Sequence, residues 1–99
     1  MLVARQVFQA KYGHGDDLVA LFKEFNTRMQ ESGGKPRFRI LTDASGPFFT
    51  VVTEVEVESF STWENDFREQ MGQPWMGEWF SRMQPLVDSG SREFYNLIE

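Results

Sequence analysis

His14 is the only histidine of the chain, and it stands between two glycines in the run Lys11-Tyr-Gly-His-Gly15. An imidazole has an unperturbed pKa of ~6.5, so at this position it could act as an acid or a base near neutrality. The run links an apolar, strand-like segment to a helical one, and loops of this kind often carry function. A solvent-facing turn residue is the alternative, since no partner for the ring can be picked out. Arg5, Arg39, Glu54, Arg92 and Tyr95 fall in strand-like segments. Pointing inward, an arginine would offer a bidentate fork and a tyrosine a hydroxyl donor to a carboxylate or phenol. Pointing outward, they would form cross-strand pairs or face solvent. The phase of the first strand matters, because a shift of one residue exchanges Arg5 for Gln6 as the inward group. His14, Arg39 and Tyr95 are therefore the candidate catalytic residues. Arg5, Trp63, Trp75 and Trp79 are the candidate ligand-binding residues, the tryptophans forming either an aromatic pocket wall or core packing.

Other chemistries find no support. The 99 residues include no cysteine and a single histidine, so no metal-ligand spacing exists and no metal or cofactor is expected. Gly-His-Gly is too short for a phosphate loop and lacks the flanking Lys-Ser/Thr. Residue order alone argues no Ser-His-Asp set. The formal net charge is −5, and Arg37 and Arg39 are the nearest thing to a basic patch, which disfavours nucleic acid and anionic membranes as partners. The N-terminal Met1-Leu-Val-Ala-Arg5-Gln does not read as a signal peptide. No run approaches the ~20 apolar residues of a membrane span. A cytosolic protein of one domain, residues 1–99, is expected.

The elements that must position these residues follow from periodicity. Residues 2–10 alternate as a strand. Asp16 or Asp17 suits the cap of a helix running to about Glu31, with Leu18, Leu21, Phe22, Phe25 and Met29 on one stripe. Ser32-Gly-Gly34 and Pro36 end it. Residues 36–43 and 48–57 read as two strands around the turn Asp43-Ala-Ser-Gly46-Pro47. Ser61-Thr-Trp-Glu64 matches a capping box, and the helix after it is interrupted at Gly72-Gln-Pro74. A second helical piece carries Trp75, Trp79, Met83 and Leu86. Pro85 tightens its end, Gly90 stops it, and residues 91–98 form the last strand. The order strand, helix, strand, strand, helix, strand is the α+β ferredoxin-like βαββαβ pattern with a four-stranded antiparallel sheet. Both helices then cover one face of the sheet. Neither face of the strands is cleanly polar, so the uncovered face predicts a homodimer.

With these features in place, the chain resembles the dimeric α/β-barrel superfamily over nearly its whole length. The likeness rests on the turn Lys11-Tyr-Gly-His-Gly15, the apolar helix after it, and the closing pattern Trp79-Phe80…Pro85-Leu-Val-Asp-Ser-Gly90-Ser-Arg-Glu-Phe-Tyr. The first half looks like many small members of the superfamily. The tail looks most like NIPSNAP-like single-domain proteins. The resemblance implies sheets pairing into a barrel and a largely apolar cavity. Some branches are cofactor-independent antibiotic-biosynthesis monooxygenases, some muconolactone isomerases, some haem-degrading oxygenases, and others have no assigned activity. The haem branch uses an Asn on the first strand and a His on the second helix; this chain has neither. The implied functions are a monooxygenase or isomerase acting on an apolar or aromatic small molecule, or a non-catalytic ligand-binding or stress-associated barrel.

Overall fold

The computed structural model describes residues 1–33 and 38–98. Its elements are β1 (Leu2–Ala10), α1 (Gly15–Glu31), β2 (Arg39–Thr42), β3 (Thr50–Val57), α2 (Phe60–Met71), α3 (Met76–Met83), a short 3₁₀ turn (Gln84–Leu86) and β4 (Val87–Asn96). The strands form one sheet in the order β2-β3-β1-β4, and every neighbouring pair is antiparallel. This is the expected α+β ferredoxin-like arrangement, with its second helix broken around Gly72–Pro74 into α2 and α3. The backbone envelope measures 35 × 35 × 18 Å, the shape of one helix layer on one sheet.

The core lies between the layers. The stripe of α1 is buried as its spacing requires: Leu18, Leu21, Phe22, Phe25 and Met29 all face inward. They meet Val51 from the sheet and Met76 and Trp79 from α3. Trp79 is 4% exposed, and its indole Nε1 donates to the Leu21 carbonyl at 2.9 Å. The indole thus fills core volume and has its polar atom satisfied by the backbone of α1. A second polar contact fixes the entry to β2. Asn26, buried on α1, donates from Nδ2 to the Phe38 carbonyl at 2.9 Å and accepts from the Phe38 N–H at 3.2 Å.

Several boundaries differ from expectation. His14, not Asp16 or Asp17, occupies the N-cap of α1, and the two aspartates sit in the first turn, where the helix dipole favours negative charge. The cap of α2 is Ser59 rather than Ser61: its backbone is extended and its side chain accepts from the Thr62 N–H. β3 starts at Thr50 rather than Phe48, since Phe49 adopts a left-handed φ of 61° that leaves the extended region. The expected start of β2 at Pro36, Arg37 of the Arg37/Arg39 basic pair and the terminators Gly34 and Pro36 lie outside the described residues; Gly33, with φ 75°, follows the end of α1.

The largest correction concerns Gly90. It does not stop a helix. The chain becomes extended at Val87, straight after the Pro85 turn, and β4 spans Val87–Asn96 rather than 91–98, leaving Leu97 and Ile98 past its end. Gly90 lies inside the strand opposite Phe8. A Cβ there would stand 3.2 Å from Phe8 Cδ1, so the missing side chain makes room for the ring.

Replacing Trp79 by Ala removes a buried ring and its hydrogen bond, and is expected to cost about 3–5 kcal/mol of stability in urea unfolding. Ser59→Ala, which removes only the α2 cap, is expected to cost about 1 kcal/mol. Equal effects would contradict this placement of the core.

Candidate functional site

β1 is paired on both sides, and its pleat divides the candidate residues. Ala4, Gln6 and Phe8 align with Val55, Thr53 and Val51 of β3 and with Phe94, Arg92 and Gly90 of β4 beneath the helices. Val3, Arg5 and Val7 align with Glu56, Glu54 and Val52, and with Tyr95, Glu93 and Ser91, on the open face. Gln6, not Arg5, is the inward group.

A cavity of about 350 Å³ lies between the sheet and the helices. Its floor is Gln6 and Phe8 of β1 with Gly90 and Arg92 of β4. Phe22 and Phe25 of α1 form one wall, and Trp79, Phe80 and Met83 of α3 another. Phe67, Gln70 and Met71 of α2 border the same space. No residue of α2 is fully buried, so this helix spans the opening more than it fills the core. A recess of about 40 Å³ shares Gln6, Phe38, Phe67 and Gln70 with the cavity and adds Trp63 and Asp66. The volume is at the small end of the usual ~300–1,000 Å³ for ligand sites, and the lining has their usual character, apolar with a few polar groups.

Arg92 is the only charged side chain among the described residues that line the main cavity. With its amide oxygen turned to the guanidinium, Gln6 accepts from Arg92 Nε and Nη2 at 3.1 Å each. The Arg92 Cζ also lies 4.7 Å from the Trp63 ring centroid and 5.0 Å from that of Phe67. Those two rings are stacked at 5.1 Å. Cation–π attraction and the Gln6 contact therefore fix the guanidinium from two sides.

The open face holds a second polar cluster. Glu54 is 6% exposed and accepts from Arg5 Nε at 2.9 Å and from Arg39 Nη2. Burial pushes the Glu54 carboxyl up, but the hydrogen bonds and charges of Arg5 and Arg39 outweigh it and leave the carboxyl below its ordinary value. Arg5 also lies over the Tyr95 ring, 5.2 Å from its centroid. The Tyr95 phenol is pushed up, foremost by hydrogen bonding to Glu93.

The structure thus brings Arg5, Arg39 and Tyr95 together around Glu54, on the face away from the helices. His14 stands apart at the start of α1, its Nδ1 3.0 Å from Asp17 Oδ2 and largely exposed. Trp79 lines the cavity and Trp63 its recess. Trp75 packs edge-on against Phe25 at 5.4 Å and beneath Arg28. Gln70 also borders the cavity, and no spacing in the sequence singles it out, whereas Met83 borders it from the helical series of Trp75 and Trp79. Among the described residues, no group of three or more His, Cys, Asp or Glu side chains could hold a metal ion. Among the described residues, no helix is long and apolar enough to cross a membrane.

No protein-family profile and no curated protein sequence matches the chain. Solved structures share its fold throughout. An uncharacterised NIPSNAP domain protein from Burkholderia xenovorans superposes with a TM-score of 0.84 at 15% identity, over 99% of this chain and 95% of that one. A NIPSNAP family protein from Agrobacterium tumefaciens gives 0.83 at 13% identity, over 99% and 93%. An antibiotic biosynthesis monooxygenase gives 0.73 at 11% identity, over 100% of both chains. The architecture is therefore that of the NIPSNAP and antibiotic biosynthesis monooxygenase structures, as the resemblance implied. At these identities the likeness is one of fold, and fold does not carry activity.

Glu54→Gln tests the open-face cluster. It removes the charge between two arginines and is expected to cost about 1–3 kcal/mol at neutral pH. Because the folded carboxyl is lowered, its contribution is present above the unfolded pKa of ~4.3 and is lost as pH falls through the folded value. Melting curves of wild type and variant should differ at pH 7 and draw together as pH falls below the unfolded pKa of ~4.3 and through the lowered folded value. A difference that persists undiminished at low pH would contradict the assignment.

Proposed function

We propose that this chain is a cytosolic, single-domain, homodimeric α/β-barrel protein whose sheet–helix cavity binds an apolar or aromatic small molecule. The observation that carries the reading is the cavity itself. It is walled by rings and thioethers, and yet it retains polar groups, Gln6 and Arg92 from the sheet and Gln70 from α2. A space that served only packing would be closed by its own side chains.

The dimer is supported by the open face. Val7 and Val52 stand there half-buried, while Leu41 is 42% and Tyr95 45% exposed. A second copy seated on this face would cover that apolar surface and the Arg5–Glu54–Arg39 cluster together. Light scattering is expected to give about twice the 11.6 kDa chain mass, and Val7→Lys to return it to the monomer. A wild type at the monomer mass would remove the dimer from the proposal.

A second reading, a cofactor-independent monooxygenase or isomerase, is favoured by one feature. The Arg92–Gln6 pair borders a cavity walled by rings, and the guanidinium, which also reaches solvent, is a fixed donor to a developing oxyanion. In that reading Arg92 holds the oxygen of a deprotonated substrate. His14, Arg39 and Tyr95 lie elsewhere on the molecule, so the substrate's own acidity and the guanidinium share the chemistry.

Ligand binding is tested by NMR titration with small neutral aromatic compounds. Resonance changes are expected at the Trp79 indole, the Met83 methyl and the backbone of Gly90. Changes confined to the open face, or no changes with any compound, would sink the cavity reading. If binding holds, oxygen uptake on the bound compounds separates the second reading from the first.

A further inference from the structure

Three arginines sit on the strands, and their surroundings differ. Arg5 and Arg39 both pair with Glu54. Arg92 forms no salt bridge with any described residue. Its partners are a neutral amide and two aromatic faces, which hold a guanidinium in place and leave its positive charge unneutralised. Gln6 engages Nε and Nη2, so the Nη1 edge has no hydrogen-bonding partner among the described residues. Arg92 is exposed, so its guanidinium reaches solvent at the edge of the cavity and is accessible to an anionic ligand there.

We infer that the cavity selects ligands with a carboxylate on an aromatic or apolar body, and that Arg92 is the residue that recognises the anion. This inference rests on the proposed small-molecule role of the cavity and names its ligand class. A carboxylate meeting the guanidinium would gain charge-assisted hydrogen bonds that a neutral group cannot match. Its body would lie against Phe8, Phe22 and Trp79, where the cavity is apolar. Gln6 acts as a positioning residue, since it holds the guanidinium over the Trp63 and Phe67 rings. The surrounding protein gives anions no general advantage: the chain carries −5, so a preference for an anion reports the local cation rather than the overall field.

The test compares 2-naphthoate with 2-naphthamide, equal in shape and different in charge, by calorimetry at pH 7. The naphthoate is expected to bind wild type about tenfold more tightly. Arg92→Gln is expected to erase that difference and leave the affinity for the amide within about twofold. A readout that needs no variant is the Arg92 Nε–H resonance, which should move with naphthoate and stay in place with naphthamide. Equal affinities for the two probes in wild type would overturn the carboxylate selection and leave the cavity reading standing. Binding of the amide alone would do the same. Failure of both probes to bind would overturn the cavity reading and this inference together. A naphthoate preference that survives in folded Arg92→Gln would assign the recognition to another residue and overturn the role given to Arg92.

Discussion

β1 runs through the middle of the sheet, hydrogen-bonded to β3 on one side and β4 on the other. Its pleat cannot be moved by one residue without breaking both ladders and exchanging every side chain between faces. That constraint places Gln6 and Phe8 beneath the helices and Arg5 and Val7 on the open face. The cavity floor, the partner of Arg92 and the arginine that holds Glu54 all follow from it. So does the role of Gly90, which lies opposite Phe8 and must lack a side chain for the ring to occupy that space.

The helix layer is uneven, and the unevenness creates the cavity. α1 and α3 are joined firmly: the Trp79 indole bonds the Leu21 carbonyl, and Arg82 pairs with Glu24 at 2.8 and 2.9 Å. The hydrogen bond from Arg82, with its charge, holds the Glu24 carboxyl below its ordinary value despite some burial. α2 is held differently. Its Trp63 and Phe67 stack on each other and reach Phe94 and Arg92 at the sheet edge. The Gly72–Pro74 break lets α3 turn into the core while α2 stays above the opening.

Much of this is legible from residue order, for reasons that can be given position by position. The stripe Leu18, Leu21, Phe22, Phe25 and Met29 has helical spacing and is buried accordingly. Alternation in 50–57 marks β3 and groups Val51, Thr53 and Val55 on one face. The site was harder to read. The inward position of Gln6 was one of two phases that the first strand allowed. Arg5, Arg39 and Tyr95 are polar residues on strands, which is what a cavity residue looks like in sequence, and the register gathers them instead around a buried carboxylate. Asn26 has no special neighbours in the chain, although it clamps the backbone of Phe38 from twelve residues away.

Local patterns determined the element types, their order and the antiparallel α+β class, because helix and strand periodicity depend on residues a few positions apart. The break after Met71 and the helix-ending effect of Pro85 are local for the same reason: a proline lacks the N–H a helix requires. The tertiary structure decided which residues share a space. Arg92 meets Gln6, Trp63 and Phe67 only because β4 pairs with β1 and α2 crosses above them. Glu54 meets Arg5 and Arg39 only because β3 lies between β1 and β2. Strand register and helix placement arise from pairing and burial between distant segments, and short-range spacing carries no record of which distant partner will be chosen.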